Sequence, residues 1–145
     1  MNDPAEEITD ALVEYVNGLE SPDVSLTAQV RKTDNPLGEL EFENTDLTVL
    51  FYAAEESATK AGRNTFQEDF TIAMLVVRKM DVEFTRPVLA RFVRELKRAV
   101  RGVKMAGYTL SMDDTPVKMD PTHRKELNQF VSVSHFVYTG FAPCG

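Results

Sequence analysis

Two histidines and one cysteine are the residues of this sequence that most often carry catalysis or bind metals. His135 alternates with valines in "VSVSHFV", which is typical of a histidine within a strand rather than of a catalytic base. His123 lies in "DPTHRKEL", a predicted turn or helix start, and neither histidine has a partner at the spacing of a zinc site. Cys144 is the single cysteine, so no internal disulfide forms, and its position beside the last residue makes a buried catalytic thiol an unexpected role.

Acidic residues offer two further kinds of chemistry, calcium binding and general acid–base catalysis. The stretch "DDTPVKMD" supplies Asp113, Asp114 and Asp120 but lacks the glycine and closing glutamate of a calcium loop, so we expect these residues to shape turns. Glu55 and Glu56 are adjacent, and adjacent side chains rarely converge on one substrate. There is also no phosphate-binding glycine-rich loop and no nucleophile motif. We therefore predict a protein that is not an enzyme, without catalytic residues, metal or cofactor; a small hydrolase is the enzymatic alternative.

Charge is distributed unevenly along the chain. The net charge is −7, residues 1–56 contain 14 acidic and 2 basic residues, and residues 80–104 contain 7 basic and 3 acidic residues. This pattern suits copies of one chain that pack side by side, and an unevenly charged solvated surface explains it equally well. The basic segment would also suit nucleic-acid phosphates, but we expect no exposed aromatic residue to be interleaved with its basic face, and it has no recognised binding motif.

An acidic amphipathic helix is predicted for "DPAEEITDALVEYVNGL". Asp3 is a suitable N-cap, Pro4 suits the first helical position, and Gly18 is a candidate stop. One face carries the apolar residues Ile8, Leu12, Tyr15, Val16 and Leu19. The remaining face forms a predicted acidic surface of Glu6, Glu7, Asp10 and Glu14.

A basic amphipathic helix is predicted for "TRPVLARFVRELKRAVRGVK", with Gly102 marking its end. At 100° per residue, one side carries Val88, Leu89, Phe92, Val93, Leu96, Ala99, Val100 and Val103. The other side carries Arg91, Arg94, Lys97, Arg98, Arg101 and Lys104. We predict that Arg91, Arg94, Arg98 and Arg101 form a subunit interface.

Five segments are predicted to be strands. "VSLTAQVRK" alternates and has one core face, whereas "DLTVLFYA" and "FTIAMLVVRKM" are apolar on both faces, as central strands are. "GYTLSM" and "QFVSVSHFVYTGF" follow the basic helix, separated by a loop with one helical turn at residues 121–127. The order α-β-β-β-α-β-β predicts one α+β domain over residues 1–145. It consists of a mostly antiparallel sheet of four or five strands packed by two main helices.

A polar stretch, "YAAEESATKAGRNTFQEDF", separates the two central strands. About a dozen residues form this connection, whereas hairpin loops usually need two to five. A strand that begins near Phe66 would also run for roughly 45 Å, at about 3.3 Å per residue, and so extend beyond a compact body. We predict a β-hairpin arm over about residues 53–68 that becomes ordered on binding a partner, or alternatively a loop without a partner. Its predicted interface residues are Glu55, Glu56, Lys60, Arg63, Asn64 and Glu68.

The order and spacing of these segments resemble the tail terminator proteins of long-tailed bacteriophages over roughly residues 8–139. The resemblance includes the N-terminal amphipathic helix and the two apolar strands with their Glu-Ser connection, "LTVLFYAAEESATKAGRNTFQEDFTIAMLVVRKM". It continues through "LARFVRELKRAVRG" and a short Gly-Tyr strand. It ends with "DPTHRKELNQFVSVSHFVYTG", in which an Asp-Pro turn precedes an apolar strand.

The resemblance implies a structural virion protein. Such proteins form a ring, usually of six subunits, that ends polymerisation of the tail tube at its head-proximal end and joins the tail to the head. The expected partners are other copies of this chain, the tail tube protein and a head connector or stopper protein; DNA passes through the channel without specific binding, and no membrane is involved. The expected location is the tail neck of the virion, after synthesis in the host cytoplasm. Another neck component (a stopper or head-completion protein) and a nucleic-acid-binding regulator remain alternatives.

Overall fold

The computed structural model describes residues 3–19, 28–34, 47–113, 118–119 and 129–143. His123, Cys144, Asp114, Asp120 and the helical turn predicted at residues 121–127 lie outside these ranges. Within these ranges there are two helices, α1 (Pro4–Asn17) and α2 (Arg86–Val100). The six strands are β1 (Ala28–Lys32), β2 (Leu47–Lys60), β3 (Thr65–Lys79), β4 (Thr109–Asp113), β5 (Lys118–Met119) and β6 (Gln129–Pro143). The predicted order of elements is present, with the two-residue β5 added.

The strands form a single sheet in the order β1-β2-β3-β6-β4, and β5 also pairs with β6. β1 runs parallel to β2, and every other pair in the described part of the sheet is antiparallel. β3 pairs with β6 along its whole length, from Thr65 opposite Pro143 to Lys79 opposite Gln129. β4 and β5 therefore lie along the other edge of β6. The predicted α+β fold with a mostly antiparallel sheet is confirmed.

Both helices pack on one face of this sheet. α1 contacts β1, β2 and β3, and α2 contacts β6 and α1. The Tyr15 hydroxyl joins the helices by donating to the Ala99 carbonyl oxygen over 2.9 Å. The main core lies between helices and sheet and includes Ile8, Leu12, Leu89, Phe92, Val93, Leu96, Val49, Phe51, Ile72, Met74, Phe136 and Tyr138.

The opposite face of the sheet is also buried at its centre. Leu50, Leu75, Val77 and Val131 form a second buried cluster there. Since successive side chains of a strand point to opposite faces, burial of neighbours such as Val49 and Leu50 means that β2 is covered on both sides. The absence of alternation in "DLTVLFYA" and "FTIAMLVVRKM" predicted this arrangement correctly.

The predicted end signals of the helices are present in the structure. The Asp3 carboxylate accepts a hydrogen bond from the Ala5 N–H over 3.2 Å, Pro4 occupies the first turn, and α1 stops at Gly18. After α2, Met105 and Tyr108 exchange two backbone hydrogen bonds across a tight turn. Ala106 adopts φ +52° in this turn, a left-handed conformation that is strained for alanine.

Candidate interaction surfaces

The arm, residues 53–68, is a continuation of β2 and β3 beyond the buried core. All eight β2 residues from 53 to 60 are exposed, and β3 pairs with them as far as Lys60 opposite Phe66. The Ala61 and Gly62 N–H groups close the turn by donating to the Thr65 carbonyl oxygen over 2.9 and 3.2 Å. The long β-hairpin arm predicted as part of the fold is therefore confirmed. The stretch is two paired strands and a four-residue turn, because backbone pairing continues where apolar burial stops.

The end of β6 forms a third strand of the arm, which the sequence analysis missed. Residues 139–143 of β6 pair with residues 65–69 of β3. The Thr139 hydroxyl donates to the Asp69 carboxylate over 2.6 Å, and the Gln67 amide donates to the same carboxylate over 3.2 Å. The length of "QFVSVSHFVYTGF", close to that of β3, was the available signal.

The outer edge of β2 is exposed along the arm, where residues 53–60 are all accessible to solvent. β1 pairs with β2 only as far as Phe51, whose carbonyl oxygen then accepts from the Thr33 N–H over 3.0 Å. Beyond Phe51, no strand within the described ranges pairs with this edge. A bulge between Ala53 and Glu55, together with exposed charged residues, interrupts it. Bulges and charges of this kind prevent indiscriminate edge-to-edge pairing, so the arm is an exposed surface that is protected against aggregation.

Two phenylalanines are exposed near the tip of the arm, on opposite faces of the sheet. Phe141 is 67% exposed and Phe66 is 39% exposed. Phe141 pairs with Gln67, the neighbour of Phe66, so the two rings point to opposite sides. The predicted arm contacts were all polar and did not include these two phenylalanines.

A groove lies where the arm leaves the body, against the N-terminus of α1. This arm-base groove has a volume of about 430 Å³ and is lined by Asp3, Pro4, Glu56, Ser57, Ala58, Glu68 and Phe70. It adjoins a smaller groove of about 240 Å³, which Asp3 and Glu56 also line together with Glu55. Two of the predicted arm residues, Glu56 and Glu68, are thus brought together with the N-cap of α1.

Tyr108 packs beside the arm-base groove. Its ring meets Phe70 edge-to-face at 5.4 Å between centroids, and it covers Gly140, where an added Cβ would lie 2.3 Å from the ring. Burial raises the pKa of Tyr108, and the charges of Glu68 and Glu7 raise it further. Glu68 and Glu7 therefore both lie near enough to Tyr108 to act on it, beside the arm-base groove.

The predicted acidic surface of α1 is divided among three environments. Glu6 and Asp10 bind Lys32 of β1 at 2.9 and 3.0 Å, and the hydrogen bonds from Lys32 to these two carboxylates raise its pKa. Glu7 acts on Tyr108 near the arm. Glu14 lines a separate groove of about 460 Å³ at the other end of α1, together with Ala11, Tyr15, Gly18, Leu19, Val103, Lys104 and Met105.

The outward side of α2 and its C-terminal end carry an arginine face, which consists of the exposed helix residues Arg91, Arg94 and Arg98 and of Arg101, the exposed C-cap residue. Arg98 pairs with Glu95 of the same helix at 3.1 Å. The prediction that Lys97 shares this side is wrong, since Lys97 is only 2% exposed. At 100° per residue, Lys97 lies beside the buried Ala90 and Val93, on the flank of the apolar stripe.

Neither the remaining histidine nor the acidic residues form a metal site in the described part of the chain. His135 is half-buried in β6, opposite Ala73 of β3. Within residues 3–19, 28–34, 47–113, 118–119 and 129–143, no group of three His, Cys, Asp or Glu residues is placed to hold a metal ion. None of the described helices is long and apolar enough to cross a membrane.

Comparisons with known proteins do not assign a family. No protein-family model matches the sequence, and no curated protein matches it significantly. The functional interpretation therefore depends on the arm, the arm-base groove and the arginine face.

Proposed function

We propose that this protein is a ring-forming structural protein of the phage tail neck, acting as a tail terminator. The observation that carries this proposal is the three-stranded arm, whose strands continue well beyond the core and present an exposed edge with charges of both signs. An extended sheet that leaves the hydrophobic core gains little from burial within its own chain. A protein partner, which can pair with the edge and its charges, accounts for it better.

The distribution of charge supports assembly into a ring. A ring needs a heterologous contact, in which one patch of a subunit meets a different patch of the next. The arginine face of α2 and the carboxylates at the base of the arm are two such patches of opposite sign on one chain. In this proposal six copies cap the last layer of tube protein and present their other side to a head connector or stopper. The surplus of acidic residues reduces sticking of the DNA that passes through the channel.

Deletion of the gene in the phage that encodes this chain tests the proposal. A terminator ends tube growth, so its loss is expected to give overlong tails that are not joined to heads, as measured by electron microscopy. Complementation with the wild-type gene is the control. Tails of normal length that fail to join heads would support the alternative of a stopper or head-completion protein. Normal, joined tails would exclude all of these neck functions.

Arg63→Glu tests the contribution of the arm tip. Arg63 is exposed in the four-residue turn, so its reversal is expected to weaken ring assembly or tail capping while the unfolding midpoint stays unchanged. Arg63→Lys, which retains the charge, is the matched control. Unchanged assembly of the reversed variant in sedimentation and capping experiments would count against a role for the arm tip.

The arginine face supports one second candidate, a nucleic-acid-binding regulator. The four exposed arginines of this face are able to contact phosphates. This candidate requires retention of duplex DNA that weakens steeply with salt and is lost in Arg94→Glu/Arg98→Glu. The net charge of −7 opposes it.

A further inference from the structure

We propose that the arginine face of one copy docks in the arm-base groove of the next copy. This inference rests on the proposed ring, and it names the two surfaces that meet in it. It makes the contact between subunits head-to-tail: each chain offers its α2 to one neighbour and the base of its arm to the other.

The arginine face has the form of a continuous stripe. Arg91, Arg94 and Arg98 are spaced by three and four positions, so they follow one side of α2, and Arg101 caps the C-terminus of the helix. At 1.5 Å per residue, the stripe from Arg91 to Arg101 is about 15 Å long. The buried side of α2 packs in the core through Leu89, Phe92 and Leu96, and the arginine face is exposed on the opposite side.

The arm-base groove offers the complementary chemistry. Asp3, Glu56 and Glu68 contribute carboxylates to its wall, and Phe70 and Pro4 contribute apolar surface. Arginine suits such a lining because its guanidinium binds carboxylates by two parallel hydrogen bonds and its stem covers apolar surface. The groove is open to solvent, so an arginine side chain can enter it, and the hydrogen bonds to the guanidinium then offset the water that the carboxylates lose.

The position of the two surfaces in the fold favours a second copy as the occupant. The groove lies at the N-terminus of α1 beside β2 and β3, whereas α2 lies over β6. When two different surfaces of opposite charge lie on one chain, the same contact can repeat from each copy to the next. The copies form a closed ring when the rotation between neighbours allows it. Nucleic acid would use the arginine face alone and would leave the acidic groove without a partner.

Reversal of each surface provides the test. One variant is Arg94→Glu/Arg98→Glu, and the other is Glu56→Lys/Glu68→Lys. Each brings like charges together, so each alone is expected to raise the dissociation constant for self-association at least about tenfold in sedimentation velocity at low salt. Arg94→Lys/Arg98→Lys retains the charge and is expected to assemble like the wild type. Glu83→Lys, at an exposed residue outside both surfaces, controls for charge reversal of a glutamate elsewhere on the chain. Circular dichroism and thermal unfolding establish that all variants fold.

An equimolar mixture of the two reversed variants is the decisive measurement. The reversed α2 of one variant then faces the reversed groove of the other, and the unchanged surfaces face each other at the next contact. We therefore expect the mixture, and a single chain that carries all four substitutions, to recover assemblies of wild-type size. Assembly of the wild type is expected to weaken with added salt because both surfaces are exposed.

Three results would overturn the proposal: no recovery in the mixture, reversed variants that assemble like the wild type, or a wild type that stays monomeric at its highest soluble concentration. Loss of DNA binding in Arg94→Glu/Arg98→Glu, with unchanged self-association, would assign the arginine face to nucleic acid instead. The terminator function and this contact between subunits are tested by different results. Recovery in the mixture together with normal tails after gene deletion would retain the contact and exclude the terminator. Overlong tails after gene deletion, together with reversed variants that assemble like the wild type, would retain the terminator function and exclude this contact.

Discussion

The body and the arm of the sheet use the same two strands in different ways. In the body, β2 residues 47–51 are buried on both faces of the sheet, and their side chains pack in two cores. In the arm, β2 residues 53–60 are all exposed, and the strand continues through backbone pairing with β3 and β6. An isolated two-stranded hairpin is marginally stable in water, so the third strand from β6 matters. The comparison teaches that burial sets where the core ends, whereas cross-strand pairing sets where a strand ends.

The largest expected effect separates two positions on the same strand. Phe51 is 0% exposed in the body, so Phe51→Ala is expected to cost about 3–5 kcal/mol, through lost burial and the cavity left behind. Thr59 is exposed in the arm, and Thr59→Ala is expected to change stability by no more than about 0.5 kcal/mol. Urea unfolding of both variants measures the difference. Equal losses in the free energy of unfolding for the two variants would contradict the distinction between the body and the arm of β2.

A medium effect on stability separates two glycines. Gly140 lies against a side chain, whereas Gly62 lies in the open turn of the arm. In Gly140→Ala, the new Cβ would lie 2.3 Å from the Tyr108 ring, so the ring must move and the variant is expected to lose about 1–3 kcal/mol. Gly62 in the arm turn has no atom within 4 Å of an added Cβ and does not have a positive φ. Gly62→Ala is therefore expected to be neutral or slightly stabilising. Thermal unfolding compares the two, and a neutral Gly140→Ala would show that Tyr108 moves without cost.

A smaller effect compares a lysine of the body with one of the arm. Lys32 binds Glu6 and Asp10, but all three side chains are more than a third exposed, so Lys32→Met is expected to cost at most about 1 kcal/mol. The loss should shrink with added salt, since screening weakens exposed ion pairs. The pKa of Lys32 is raised, so its contribution is present below the ordinary lysine pKa and is lost at higher pH. Lys60→Met at the arm tip is the control, and an equal, salt-sensitive loss there would contradict the comparison.

The smallest effect lies at the end of β3 that is remote from the arm. The Phe84 N–H and then the Glu83 N–H donate to the Asp81 carboxylate, and Arg78 lies at 3.3 Å; these contacts lower the pKa of Asp81. A lowered pKa gives stability above the ordinary aspartate pKa, which is lost as the pH falls through the folded-state value. Asp81→Asn is therefore expected to reduce slightly the loss of stability that the wild type shows as the pH falls. Urea unfolding at a series of acidic pH values measures this pH dependence. The same dependence in Asp81→Asn and in the wild type would show that Asp81 does not contribute to it.

Much of the body was predictable because its signals are local. The apolar stripes of α1 and α2, the stops at Gly18 and Gly102, and the two-sided central strands all follow from spacing within short segments. The candidate surfaces were predictable only as residue types. Glu56 and Glu68 were recognised as arm residues, and the four arginines as one helix side. The residues that lie beside them in the fold could not be predicted. Asp3 reaches the arm-base groove through the packing of α1, and Tyr108 reaches its side through the turn before β4.

The amino-acid sequence alone specifies which segments have an apolar face, where the helices end, how charge is divided between the N-terminal half and α2, and that a hairpin arm separates the central strands. The third strand of that arm, the end of β6, is visible only in the tertiary structure. Periodicity detects burial, and the arm has little burial to detect; its third strand is held by backbone hydrogen bonds between β3 and β6, which are distant in sequence. The same reason explains Lys97. Its side chain is polar, but its position beside the apolar stripe of α2 places it in the interior, because packing acts on position as well as on residue type.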